Sequence, residues 1–416
     1  MAMPPPGPTD VQFGTIGYAS ERPNIIESLR GLAQRHGDVV QFNLGRTPCV
    51  LVNGALHVHN LFSEHEACLR KPEFVKDSNR GYWGDGLTTL EGAAWRSHRR
   101  MLLPSFSAMS VEAYLPVVAE CTKGMLDAWA PRSPADVLRQ LRILIARIAA
   151  RVVLDAEVQG YESTEGRSGV LPFSEAYGED YASNPGGDSN ALLIMVRPRA
   201  PRRMDATVSI IDERVASGEQ RPDMLSALLL QRLPDNTTLT RSEILGEVMQ
   251  LLYAGHLTIP HSLVNFWREI VAHDLVSRIT SEADRLCADG VPKMAALSRS
   301  YCVAALKESM RLHPPAPILY REAKSAFELS GFELAKDVAV WVSPHLLHND
   351  DRYFPESDRF IPERFMKGRL PINSRSVYMP FGIGQRKCIG HLFALHQMAL
   401  IALLMARRVM QTSMPV

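Results

Sequence analysis

The chain has 416 residues, 46% of them apolar, enough to bury a large core, and its length alone allows two or three domains. Its 46 Lys and Arg offset 45 Asp and Glu to a net charge of +1, which removes the global basic footprint of a nucleic-acid binder. Six scattered cysteines with no CxxC argue against a disulfide scaffold, a zinc ribbon and a thioredoxin-like pair.

The start, MAMPPPGPTD, reads as a loose extended tail, residues 1–12. No early apolar run suits a signal peptide or a membrane anchor, so the expected location is the cytoplasm. With no linker-like run and no internal repeat, residues 13–416 are expected to form a single domain. DVVQFNLGRTPCVLVN, residues 38–53, reads as two strands around a Gly-Arg turn. A mostly helical pattern follows to about residue 310, broken at 160–169 and 183–190. A helix over 300–312, a small β region, an irregular stretch over 344–387 and a final helix over Leu392–Met405 complete a mainly α chain with a small β portion.

Within the helical part, LTRSEILGEVMQLLYAGHLTIPHSLVNFWREI stands out. Thr240 and Glu243 match a capping box, so a helix starts there. Running to Val271 it would span ~45 Å at about 1.5 Å per residue, apolar on nearly every side. Gly255, Thr258 and Pro260 sit mid-way, and proline leaves the His256 carbonyl without its partner four residues on. A locally broken helix beside a threonine can hold water or a small ligand; a proline kink in a core helix accounts for the pattern equally well.

Two further helices carry charged pairs. In LKESMRLHPP, Glu308 and Arg311 share a face, an arrangement usually met as a surface salt bridge. In AAWRSHRRML, Trp95 and Arg99 share a face and could grip a carboxylate, or simply form the basic side of an amphipathic helix. HLLH at 345–348 has loose metal-like spacing but no further ligands.

PFGIGQRKCIGHLFALH places Cys388 in a loop punctuated by Gly382, Gly384 and Gly390, ahead of the final helix. The glycines do not make a dinucleotide loop, because Lys387 stands where the third glycine belongs. A protease-like cysteine needs a histidine, and thirteen histidines make a chance partner easy to find. The remaining option is a metal ligand: a thiolate stabilised by the helix dipole and loop N–H groups can serve as the axial ligand of a haem iron. Spacing alone leaves these options open.

The motif FGIGQRKCIG resembles the cysteine signature of the cytochrome P-450 family, F-x-x-G-x-R-x-C-x-G, at Phe381, Gly384, Arg386, Cys388 and Gly390. KESMR resembles the family's E-x-x-R, PERF at 362–365 its associated arginine, WRSHR its W-x-x-x-R and AGHLT its central-helix motif, all in the family's order from about residue 30 to 400. The resemblance implies a fold with haem between a long central helix and the cysteine loop with the final helix. Cys388 would be the axial ligand of the iron of haem b, in a loop that includes Phe381 and Gly390. Trp95, Arg99 and Arg386 would bind the haem propionates, with His98 and Arg321 as further candidates. Glu308, Arg311 and Arg364 would form a structural network. Ala254, Gly255, Leu257 and Thr258 would form the oxygen groove, with Thr258 facing dioxygen.

Three departures from the family matter. Leu257 stands where an acidic residue usually feeds protons, so a relay through Thr258 and water, or from the substrate, is expected to replace it. Gln397 stands where a glutamate is common. Only ARRVMQTSMPV follows Met405, where the family continues into a β hairpin lining the pocket.

The resemblance implies a monomeric monooxygenase that uses dioxygen to oxidise an unactivated C–H or C=C bond, drawing electrons from a separate ferredoxin and ferredoxin reductase. Arg96, Arg100, Arg386 and Lys387 would make a basic docking patch, although ordinary solvated charge accounts for them as well. Desaturation, ring formation and peroxide-driven oxidation are alternatives, and a non-catalytic haem sensor is one of another class. Residues 74–90, 170–200 and 316–320 are expected to line a pocket for a mid-sized apolar molecule with some polar groups, from secondary metabolism or lipid.

Overall fold

The computed structural model describes residues 3–8, 12–13, 25–44, 47–73, 76–77, 80, 83–129, 134–157, 205–233, 236–366 and 376–412. The breaks expected at 160–169 and 183–190 and the expected pocket region 170–200 lie outside these residues. So does part of 74–82.

In chain order come β1 (Gln12–Phe13), α1 (Ile25–His36), β2 (Val39–Leu44), β3 (Thr47–Val52), α2 (Ala55–Ser63) and β4 (Leu69–Arg70). Then follow α3 (Gly92–Leu102), α4 (Ala108–Asp127), α5 (Pro134–Leu154), α6 (Asp205–Ser217) and α7 (Met224–Leu230). Next are α8 (Arg241–Ala254), α9 (Thr258–Ala272), α10 (Val276–Leu286), α11 (Met294–Leu297) and α12 (Tyr301–Leu312). The chain closes with β5 (Leu319–Ala323), β6 (Phe327–Leu329), β7 (Phe332–Leu334), β8 (Ala339–Val342), α13 (Pro344–His348) and α14 (His391–Thr412). Described residues within Met1–Val75 and Glu308–Cys388 form one compact unit, and those within Lys76–Lys307 and from Ile389 onward form another.

The first unit is built on a six-stranded sheet in the order β1-β2-β3-β8-β5-β4. The two strands expected over 38–53 are the hairpin β2–β3, in register from Val39 opposite Val52 to Leu44 opposite Thr47. Alternate side chains leave opposite faces of a strand. One face sends Val39, Val50, Val52, Val340 and Val342 against Val58, Leu61 and Phe62 of α2. The other sends Val40, Phe42, Leu51 and Trp341 against Ile26, Leu29 and Leu32 of α1. Covering both faces explains why these strands read as continuous apolar runs. Part of the start expected as a loose tail is fastened here: Gln41 N donates to Pro6 O at 2.9 Å and Glu333 N to Met3 O at 2.9 Å.

The second unit is helical. The apolar run of α14, buried from Met398 to Ala406, packs on α4 and α10, while α5 packs on α4, α8 and α9. The helix expected from Thr240 to Val271 is two helices. It begins with the expected capping box, Thr240 N donating to Glu243 Oε2 at 2.8 Å and Glu243 N to Thr240 Oγ1 at 3.3 Å, and it breaks over Gly255–Leu257. Among the described residues no single helix is long and apolar enough to cross a membrane.

Candidate functional site

The cysteine loop owes its shape to glycine. Gly382 and Gly384 have φ of 73° and 72°, a left-handed conformation that side chains resist. A Cβ on Gly384 would also lie 2.6 Å from Glu66 Oε1, the carboxylate that accepts Gln385 N at 2.7 Å. Cys388 N donates to Phe381 O at 2.8 Å, closing the loop just ahead of α14. Cys388 is the exposed cysteine of the six. Burial pushes the Cys49 thiol up to about 12 and the Cys121 thiol to about 11, which leaves them inert as thiols.

Within the same unit a buried ionic network supports this loop. All five N–H groups of Arg311, a fully buried side chain, are bonded. Nε and Nη2 each meet the Glu308 carboxylate at 2.9 Å, and the carbonyls of His348, Ser357 and Arg359 accept the rest at 2.7–2.9 Å. Glu308 also accepts Ile361 N at 2.9 Å and Arg364 Nε at 3.3 Å. Glu308 and Arg311, a spacing usually met as a surface bridge, are the centre of a buried triad with Arg364. His348 extends it, its Nε2 accepting Met379 N at 2.9 Å, immediately before the loop. Burial and then Arg311 push the His348 ring down to about 3, so it stays neutral and Nε2 remains an acceptor. HLLH is therefore structural, and among the described residues no group of three or more His, Cys, Asp or Glu is placed to hold a metal ion. Arg321 in β5 holds its guanidinium over the Phe62 ring at 5.5 Å and donates to Tyr320 O at 2.8 Å.

In the second unit, α3 presents Trp95, buried, with the half-buried Arg99 guanidinium 5.5 Å from its ring centre. His98, expected beside them as a propionate ligand, turns instead to α8: Nδ1 lies 2.7 Å from Glu247 Oε1 and Nε2 3.7 Å from Glu243 Oε1. At the broken helix, Thr258 opens α9 and its hydroxyl donates to Ala254 O at 3.3 Å. Ala254 is exposed and Thr258 half-buried, while Leu257 is buried and its carbonyl accepts His261 Nδ1 at 2.6 Å. Gly255 faces Ile145, and a Cβ there would meet Ile259 Cδ1 at 3.2 Å.

The family model for cytochrome P450 matches residues 4–164 and 200–409. This chain belongs to the cytochrome P450 family. It is 30% identical over 387 residues to "Cyclooctatin synthase" of Streptomyces melanosporofaciens, covering 90% of this chain and 83% of that one. It is 29% identical to "Cyclooctat-9-en-7-ol 5-monooxygenase" of the same organism, covering 90% and 82%. The fold matches a cyanobacterial cytochrome P450, CYP120A1, solved with retinoic acid bound, at a TM-score of 0.77 and 22% identity over 98% of this chain and 92% of that one. The protein is thus a P450 monooxygenase, an oxidoreductase of mostly helical fold with small sheets, whose family uses haem-thiolate iron, O2, a small organic substrate and a redox partner.

The exposed thiol on its glycine-shaped loop fits the iron of a porphyrin. In the other unit, the indole beside a guanidinium is chemistry that fits a carboxylate. Sequence reasoning missed Glu66, Glu247 and His348. Glu66 leaves no sequence signal; His348 was noticed only as metal-like spacing.

Proposed function

We propose that the P450 carries haem b on Cys388, with Trp95, Arg99, Arg386 and Arg321 holding the propionates and Phe381 and Gly390 shaping the loop. Residues 13–416 then act as one functional domain. The haem-thiolate centre supplies oxidising power from O2 and two electrons. The chain's own residues bind, orient and deliver protons. Ala254 and Gly255 keep the groove at the helix break free of large side chains. Thr258 holds a hydroxyl proton there, resting on Ala254 O, and Leu257 contributes no acid, so water or the substrate completes the relay.

The reaction is insertion of one oxygen atom into a C–H or C=C bond of a mid-sized, largely apolar molecule. The names of the Streptomyces relatives favour a cyclic skeleton such as cyclooctat-9-en-7-ol and a setting in bacterial secondary metabolism. A separate ferredoxin and its reductase deliver the electrons in the cytoplasm to a monomer, docking at Arg96, Arg100 and Lys387.

The observation that carries the assignment is Cys388, exposed on the two left-handed glycines. The reduced, carbon-monoxide-bound difference spectrum tests it. The long-wavelength Soret band of thiolate ligation is expected in the native chain and absent from Cys388→Ser. A short-wavelength band in the native chain would overturn it. Spin-state shifts across apolar cyclic alcohols then define the substrate.

A further inference from the structure

Segment 83–90 lies on α8 more tightly than a surface loop does. Gln250, only 4% exposed, accepts both Thr88 N at 2.8 Å and Thr88 Oγ1 at 2.9 Å on Oε1, and donates Nε2 to Gly84 O at 3.1 Å. Glycine makes that approach possible from both sides. A Cβ on Gly246 would sit 2.0 Å from Asp85 O, and one on Gly86 would sit 2.8 Å from Gln250 Cδ. The ring of Trp83, buried, stacks on Tyr253 of α8 at 4.5 Å and 27°. Inside the segment, Thr89 Oγ1 accepts Gly86 N at 3.0 Å and fixes the turn. Gln250 stands one helical turn before Ala254, the last residue of α8, so the latch acts on the helix that leads into the break at Gly255–Leu257.

A threonine in a pocket wall ordinarily offers a hydrogen bond to a polar ligand. Here both donors of Thr88 are spent on one buried amide, and an amide oxygen has two lone pairs with which to take them. With its proton committed, the Thr88 hydroxyl, beside the half-buried Leu87, can still accept a hydrogen bond but cannot donate one.

We infer that Gln250 is a specificity-determining positioning residue: it holds segment 83–90 against α8 and, by engaging the Thr88 hydroxyl proton, makes that wall select hydrocarbon over a carbonyl, which needs a donor. The inference rests on the reading that 74–90 lines the substrate pocket. Gln250 touches no reacting atom and acts through Thr88 and Leu87.

The test uses the haem-loaded full chain and its Gln250→Leu variant, with cyclododecane and cyclododecanone as spin-state probes. Hydrogen exchange at Thr88 N–H, measured without probe, is expected to rise at least about tenfold on losing its acceptor. The ratio of cyclododecane to cyclododecanone affinity is expected to fall about tenfold as the Thr88 hydroxyl proton becomes available. Adding Thr88→Val to Gln250→Leu is expected to restore the ratio while exchange stays fast. Unchanged exchange overturns the latch, and fast exchange with an unchanged ratio overturns the role in specificity. Should Gln250→Leu not fold, Gln250→Glu serves, since its ionised carboxylate keeps the Thr88 bonds but cannot donate to Gly84 O. Segment exchange that accelerates as this glutamate ionises, beyond the intrinsic base-catalysed rise of an amide, is expected, and exchange that follows only that intrinsic rise overturns the latch. Leu87→Trp separates the two readings: if it leaves both probe affinities unchanged, 83–90 does not line the pocket and the underlying reading fails, whatever the latch does.

Discussion

His98 Nδ1 lies 2.7 Å from Glu247 Oε1, with both side chains almost completely buried. This bond ties α3, bearing Trp95 and Arg99, to α8. Glu247 Oε2 has no hydrogen-bond partner among the described residues, so the carboxylate depends on His98. Removing one partner of a buried pair strands the other, so Glu247→Ala is expected to cost about 3 kcal/mol of unfolding free energy. A denaturant double-mutant cycle with His98→Ala should return a coupling of at least about 1 kcal/mol. Haem retention should fall in both single variants; additive effects in the cycle would refute the pairing.

Arg311→Lys keeps the charge and loses the fork. An ammonium has three donors where the guanidinium uses five, and it cannot reach three carbonyls and both carboxylate oxygens. The expected penalty is about 3–5 kcal/mol, comparable to the total stability of many domains, so haem-containing protein should not accumulate. Recovery of native-like yield and spectrum from Arg311→Lys would show that the network is dispensable.

Acid should destabilise the fold well before carboxylates titrate. Burial is the leading cause that pushes His256 and His348 down to about 3 and His345 to about 4; His261 and His396 move the same way. Their unfolded values lie near 6.5, so between about 6.5 and about 3 the unfolded chain binds more protons than the folded one. Stability is therefore fully present above that window and falls as pH drops through it, by on the order of 1 kcal/mol per pH unit for each histidine. Denaturant midpoints from pH 7 to 4 (a range chosen as roughly spanning the histidine transition) check this, and a flat profile would contradict it.

Leu257→Glu restores the acid usual in the family, yet the side chain there is 6% exposed. An ionised carboxylate in that position is desolvated, with a pKa pushed up and a cost of a few kcal/mol, roughly. We expect lower stability and no gain in the fraction of electrons recovered as product. A strong gain in coupling would mean that the natural relay is impaired.

What the sequence made legible is local. A positive φ calls for glycine at 382 and 384, a missing N–H marks Pro260, and Thr240 with Glu243 announces its own cap. Each signal depends on residue type within one turn. The features that stayed hidden join distant residues: Glu66 to Gln385, 319 apart; Gln250 to Thr88, 162 apart; Glu247 to His98, 149 apart. No spacing rule connects such positions, because the fold chooses the partners. The helix expected from Thr240 to Val271, locally broken or kinked at Pro260, is the intermediate case. Its break was visible in Gly255 and Pro260, but its division into two helices depends on which carbonyls find donors.

The stretch from Asn349 to Phe365 contains only a short 3-10 turn as regular structure. Its shape is stored instead in a side chain outside it, since Ser357 and Arg359 both surrender their carbonyls to Arg311. Beside local bonds such as Phe354 N to Asp350 O at 2.9 Å, those two carbonyls take their donors from α12, so loss of the guanidinium would loosen the coil at both places at once. Through His348 and Met379 the cysteine loop is coupled to that event. A change at Arg311, in a helix remote in sequence from Cys388, is thereby felt at the loop proposed to hold the prosthetic group.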